Sequence, residues 1–404
     1  MLRTDELDFE LPEELIATTP AEPRDSARML VVSRTDASRL EHRRVSDLPE
    51  YLRRGDLMVV NSTRVLPARF EGKRVGTGGR LPGLYLGEVG SRKAEVGTGG
   101  EEAGGPDFRL PTSHFRLRTW LVLIKGGHLH PGVQVGLGDG SVRLELIERS
   151  EQEPGAWVAA VHGAGEGESD AAILERVGMT PLPPYILQAR KRHGVEVADS
   201  YDRGRYQTVY AQGVGARPED GPWHPGHPGS VAAPTAGMHL TPELLSKLSA
   251  TGVGRAEVVL HVGTGTFKPV EAEFLEQHAM HEEWCTVPRE TVGAIEAARA
   301  AGGRVLCVGT TSARALESYA KLAAAGEPLP AWMDTRLLIA PGHRWRWVDM
   351  MMTNFHLPRS TLLAMVASLF DQSGGLARLK EIYRAAVGEG YRFFSYGDAM
   401  LILP

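Results

Sequence analysis

The stretch from Gly229 to Phe267, GSVAAPTAGMHLTPELLSKLSATGVGRAEVVLHVGTGTF, leaves this chain few folds to choose from. Ala232 to Met238 joins small residues to Pro234 and Gly237, so the backbone there can turn tightly and approach a ligand. Thr241-Pro242-Glu243 then reads as an N-cap, a first-turn proline and an acidic first turn. The apolar period of Leu244, Leu245 and Leu248 follows, and Gly252 ends the helix. Ala256 to Val262 is apolar and β-branched enough for a buried strand, and it runs into Gly263-Thr264-Gly265-Thr266. A loop entering a helix and a glycine turn leaving a strand are both ligand positions in an α/β sheet. Thr235, Gly237, His239, His261, Gly263, Thr264 and Gly265 are therefore candidate site residues. Each loop taken alone also reads as an ordinary tight connection.

The same grammar recurs along the chain. Met29 to Ser33 reads as a strand, and Asp56 to Asn61 as a buried strand that stops at the polar run Asn61-Ser62-Thr63-Arg64. Pro288 to Ala301 reads as a helix, Arg304 to Val308 as a buried strand, and Gly309-Thr310-Thr311-Ser312 opens a helix to Ala325. That β-turn-α unit suits an anion or a ribose, although no lysine follows the glycine as a P-loop requires. Trp345 to Met352 reads as a strand delivering Asn354, His356 and Arg359 to the start of an apolar helix, where free N–H groups favour anions. Tyr391 to Ala399 reads as the last strand. His278 and His281 share one face if their segment is helical, which raises a metal site, but the HExxH order is absent and no third ligand is identifiable.

Between about residues 72 and 170 glycine is dense and helical periodicity disappears. Short runs at Thr119–Lys125, Val133–Leu137, Val142–Ile147 and Ala156–His162 are separated by Gly, Pro and Asp-Gly turns, as in a small antiparallel barrel or sandwich. Gly97–Gly105 reads as a surface loop. The expected fold is an α/β main domain, a mixed sheet flanked by helices, formed by residues 1–72 and 171–404, with a β-barrel inserted at 73–170. Pro181 to Ile186 reads as a rigid extended segment, and the Gly, Pro and His rich run at 212–229 as a loop in which His224 and His227 could meet a metal.

At 404 residues the chain can bury the cores of two domains. Lys and Arg number 45 against 50 acidic residues, for a net charge of −5, so contact with nucleic acid must use local patches. Arg43-Arg44, Arg53-Arg54, Arg190-Lys191-Arg192 and Arg344-Trp345-Arg346-Trp347 are the candidates. Two cysteines, Cys285 and Cys307, cannot make a disulfide framework. With no basic and apolar leader and no apolar run of membrane length, a soluble, cytoplasmic protein is expected. A monomer is expected as well.

Taken together, RDSARML, NSTRVLPAR, PLPPYI, RYQTVYA, GSVAAPTAGMH, LHVGTGTFKPV, HAMHEE, VGTTSARALES, TNFHLPRSTLLAMV and YRFFSYGDAML occur in the order of one family. The chain resembles the S-adenosylmethionine:tRNA ribosyltransferase-isomerases of queuosine biosynthesis over nearly its whole length. It departs from that pattern at Ser62, where the family usually has Asp, and at Met238-His239-Leu240, where it has Leu-His-Phe. The resemblance implies an enzyme that needs no metal and uses S-adenosylmethionine as ribosyl donor. The acceptor would be the aminomethyl group of a 7-deazaguanine at the wobble position of tRNA, and the products epoxyqueuosine-tRNA, adenine and methionine. A diverged methyltransferase and a non-enzymatic RNA-binding protein are the alternatives.

For that chemistry the sulfonium acidifies the neighbouring ribose 5′-carbon, adenine leaves more easily when protonated, and epoxide closure expels methionine. Such proton transfers call for side chains with pKa near 7. His261, His281 and His356 are the candidate acids and bases, with His239 as a fourth and Glu282 to orient a ring. Thr310, Thr311 and Arg314 suit a methionine carboxylate or ribose hydroxyl, and Asn354 and Arg359 a phosphate or carboxylate. Phe355, Phe393 and Tyr396 could face a base or the sulfonium.

Overall fold

A computed structural model of the chain describes residues 1–89, 118–151, 153–211, 229–263 and 270–404. Its strands are β1 Arg28–Ser33, β2 Leu40–Arg44, β3 Leu57–Asn61, β4 Arg69–Arg74, β5 Arg80–Glu88, β6 Thr119–Ile124, β7 Gln134–Leu137 and β8 Val142–Arg149. They continue as β9 Ala156–His162, β10 Gly254–Leu260, β11 Glu283–Thr286, β12 Val305–Val308, β13 Met333–Thr335, β14 Met350–Asn354 and β15 Ala399–Leu403. The helices are α1 Asp170–Val177, α2 Pro184–His193, α3 Asp199–Arg205, α4 Pro242–Ala250, α5 Arg289–Ala300, α6 Thr310–Ala324, α7 Thr361–Ser368 and α8 Gly375–Gly388. One compact unit comprises Met1–Leu66 and the chain from Thr180 onward, and the other Pro67–Met179.

In the first unit nine strands form a mixed sheet in the order β13-β11-β10-β3-β12-β14-β15-β1-β2. The middle, β10, β3, β12 and β14, is parallel. Strand side chains alternate between faces, and each face finds its own cover. Val59, Val258, Cys307 and Met351 join a core with residues of α5 to α8, whereas Met58, Val60, Leu306 and Met352 join another with Leu244 and Leu248 of α4. Helix α4 starts as its sequence reads, with the Thr241 hydroxyl accepting from Leu244 N at 3.1 Å.

The second unit is a closed six-stranded antiparallel barrel, β4-β5-β6-β9-β8-β7. Alternation is clear in β6, where Trp120, Val122 and Ile124 are buried and their neighbours half-buried. Gly83 lets the Phe70 ring lie across its strand, since a Cβ there would come within 2.3 Å of that ring. The expected class, a mixed α/β sheet plus an antiparallel barrel, is the observed one.

Four local readings differ. Residues 345–349 are not strand because the N–H groups of Arg346, Trp347 and Val348 donate to the buried Glu317 carboxylate instead of to a neighbouring strand. Residues 391–398 turn rather than extend: Asp398 accepts from the N–H groups of Arg28 and Arg392, and Phe394 has φ of +72°. The proline run is extended only up to Pro183, because Pro184 takes the first position of α2, where its missing N–H costs nothing. His278 and His281 lie outside any helix, so no shared helical face presents them to a metal. Among the described residues no helix is long and apolar enough to cross a membrane, and no three His, Cys, Asp or Glu side chains gather as a metal site would require. The readings on Gly97–Gly105, His224 and His227 lie outside the described residues.

Candidate active site at the carboxyl ends of the parallel strands

In the parallel part of the sheet the chain places β10 on one side of β3 and then β12 on the other. Crevices form at the carboxyl ends of strands where the order reverses in this way. Asn61, the last residue of β3, spans the divide. Its Nδ2 donates to Leu260 O at 3.0 Å and to Thr311 Oγ1 at 3.2 Å, and its Oδ1 accepts from Leu260 N and Thr63 N, each at 3.1 Å.

A cavity of about 580 Å³, counted to its open mouth, lies at these strand ends. Thr310 and Thr311 reach it from the start of α6, Thr353, Asn354 and His356 from the end of β14, and Thr235 from the turn before α4. Gly309, at φ +89°, breaks the strand, and among the described residues no side chain caps α6, so its first N–H groups and positive dipole end face an anion-binding position. Tyr185, Phe355 and Phe394 add aromatic wall, and no lysine or arginine is among the described lining residues.

Asn354 organises one wall. Its Nδ2 donates to Phe394 O and to His239 Nε2, both at 3.2 Å, and its Oδ1 accepts from Thr235 Oγ1 at 2.9 Å. The Phe394 carbonyl fixes the amide orientation, since only an N–H can face it. His239 consequently carries its proton on Nδ1 and is neutral, in keeping with burial that lowers its pKa to about 4. His356 Nε2 shares a hydrogen bond of 2.8 Å with Thr353 Oγ1, and burial lowers its pKa to about 3. Tyr383 donates nothing to that ring, but its hydroxyl accepts from His356 N at 3.0 Å and so holds the turn.

The remaining candidates divide. His261 is buried outside the cavity wall, its Nδ1 2.9 Å from Thr63 Oγ1 and its ring stacked on Trp284 with centroids 4.8 Å apart. Arg314 is buried against Glu283, whose other oxygen accepts from Gly263 N at 3.4 Å, so its charge is neutralised inside the protein. Gly237 is explained by packing, because a Cβ there would fall 1.9 Å from the Tyr210 hydroxyl oxygen. His281 does not line the cavity, and Glu282 is exposed and pairs with Arg336 at 2.8 Å. Arg359 is exposed at φ +53° and also stands off the cavity wall. Thr264 and Gly265 lie outside the described residues. Of the basic patches, Arg190 is buried in a two-pronged pair with Asp202 at 2.6 and 2.8 Å, and Trp345 donates to Ser368 and packs on the core.

Tyr185, Thr353 and Ser395 are not singled out by the sequence, and Asn61 and Thr63 appear there only within the polar run Asn61-Ser62-Thr63-Arg64. That run, closing β3, was a usable signal for Asn61 and Thr63. Tyr185 and Ser395, whose hydroxyls meet at 2.6 Å, come from distant segments and carry no local mark.

The profile of the family described as "Queuosine biosynthesis protein" matches residues 4–402. The S-adenosylmethionine:tRNA ribosyltransferase-isomerase of Gloeobacter violaceus is 44% identical over 403 residues, 99% of this chain and 96% of that one. The protein of the same name from Sorangium cellulosum is 43% identical, over 99% of this chain and 98% of its own length. A crystal structure of S-adenosylmethionine tRNA ribosyltransferase from Thermotoga maritima is 30% identical, the match covering 98% of this chain and all of that one with a TM-score of 0.47. On a profile match of this extent and relatives of this identity, the chain belongs to the queuosine biosynthesis protein family.

Proposed function

We propose that the chain transfers and isomerises the ribosyl part of S-adenosylmethionine onto the aminomethyl nitrogen of a 7-deazaguanine in tRNA. The ribosyl bonds to adenine and to sulfur break, so adenine and methionine leave together. The observation that carries this reading is the cavity at the ends of β10, β3, β12 and β14, which combines a helix start, aromatic wall and neutral imidazole and, among the described residues, has no lysine or arginine in its lining.

In this reading the N–H groups at Thr310 and Thr311 take the methionyl carboxylate, and Phe394 and Tyr185 face the sulfonium. His356 moves the proton from the ribose 5′-carbon. Burial, which lowers its pKa to about 3, keeps the His356 imidazole neutral and therefore able to accept that proton. His239 and Asn354 hold the opposite wall, and His261 with Thr63 supports the end of β10. Catalysis is assigned to residues 1–72 and 171–404, with 73–170 as an inserted barrel. The same reading makes tRNA the macromolecular partner of a cytoplasmic monomer.

Incubating the protein with S-adenosylmethionine and tRNA bearing the deazaguanine precursor tests it. Adenine and methionine should appear in equal amounts. S-adenosylhomocysteine in their place overturns the assignment in favour of methyl transfer.

A further inference from the structure

Among the described residues Trp332 is the one Phe, Tyr or Trp in the exposed class, with 46% of its surface in solvent. An exposed ring by itself is unremarkable. This one is held on both sides. Ala331 O accepts from Thr286 Oγ1 at 2.6 Å, and Met333 pairs with Cys285 across β13 and β11. The backbone therefore cannot turn the indole inward without breaking an edge of the sheet. One side of the ring approaches Trp284, with centroids 6.5 Å apart and planes inclined at 31°, and Trp284 in turn stacks on His261 at 4.8 Å and 18°. A series of three rings thus runs from solvent to the buried histidine at the end of β10.

Resting on the proposed tRNA substrate, we infer that Trp332 is a stacking platform for an unpaired nucleobase of that RNA. A fixed, half-exposed indole offers a planar apolar face at little entropic cost, and every base has a complementary face. The basic patch that combined arginine with tryptophan does not offer such a face, because Trp345 packs on the core. Trp332 immediately precedes the edge strand β13, which pairs with β11, the strand whose Glu283 holds Gly263 and Arg314.

The test is binding of a fluorescently labelled anticodon stem-loop to the wild-type chain, Trp332→Ala and Trp332→Phe, by anisotropy over a range of salt. Stacking predicts that W332A binds roughly ten- to hundredfold more weakly, with most affinity kept by W332F. Phosphate contacts are salt-dependent and stacking is not, so both affinities fall with salt while their ratio holds. The KM for S-adenosylmethionine should be unchanged in W332A. Unchanged RNA affinity overturns the inference. So does a rise in the S-adenosylmethionine KM equal to the rise for RNA, which would mean the ring acts through Trp284 and His261. If W332A alters only self-association in sedimentation, the face is an interface between copies and the inference is wrong. Wild-type chain that binds the stem-loop but releases no adenine would sink the proposed reaction and leave the stacking measurement intact.

Discussion

The side-chain amide of Asn61 donates to the Thr311 hydroxyl at 3.2 Å, and by that bond the end of β3 is tied to the start of the helix that opens the cavity. Asn61 is fully buried and makes four hydrogen bonds to three residues.

Asn61→Ala should therefore act on fold and site together. Leaving several buried groups unpartnered costs on the order of 2–3 kcal/mol. Urea unfolding should show that loss, and the KM for S-adenosylmethionine should rise severalfold as Thr311 loses its anchor. A variant with wild-type stability and KM would show the network to be incidental.

The buried histidines predict an acid-side loss of stability. His239 and His356 have folded pKa values of about 4 and 3 against an ordinary 6.5. The unfolded chain then binds more protons as pH falls below 6.5, so stability is full above that pH and declines beneath it. The decline is on the order of 3 kcal/mol per histidine by pH 4. Carboxylates titrate in the same range, so the comparison is with His356→Gln, whose stability curve should be flatter between pH 6.5 and 4. Identical curves would show that His356 protonates freely in the folded chain.

Asn354→Asp exchanges a donor for a carboxylate opposite His239 Nε2. An adjacent negative charge favours the imidazolium, so the His239 pKa should move up from about 4, and NMR titration of its ring protons reads this directly. The new carboxylate also faces Phe394 O, so the variant should be less stable at neutral pH. An unmoved titration would place the ring away from Asn354.

Arg314 and Glu283 form a buried pair, and cutting it from one side strands a charge. Glu283→Gln and Arg314→Met should each cost on the order of 3–5 kcal/mol, and the double variant much less than their sum. Urea unfolding of the four proteins gives the coupling. Additive losses would mean the two side chains act independently.

How much of this could be read beforehand depends on where the forces lie. Strands β1, β3 and β12 and the end of β10 from Val258 were legible because buried strands are apolar runs, and β6 because one face of a barrel strand stays half-exposed. The run 345–349 misled because its apolar tryptophans suggest a strand, whereas a carboxylate from α6 takes the N–H groups a strand would need. The segment 391–398 misled in the same way, with Asp398 supplying the competing acceptor. Within the site, residues closing a strand or opening a helix, such as Thr311, Asn354 and His356, announced themselves by position. Tyr185 and the Asn61–Thr311 bond depend on contacts between distant segments, and pattern in one segment says nothing about its partner. The histidine pKa values followed burial, which the sequence could not show.

Strand β15 lies between β14 and β1, and Met29 pairs with Ala399. Strand β1 thus waits for β15, some 370 residues later, before it can join the rest of the sheet, and it carries β2 with it. The barrel strands, close together in sequence, can pair long before. Non-local pairing of this kind slows folding and leaves apolar edges open meanwhile, so nascent chains of this protein should depend on chaperones until β15 has emerged.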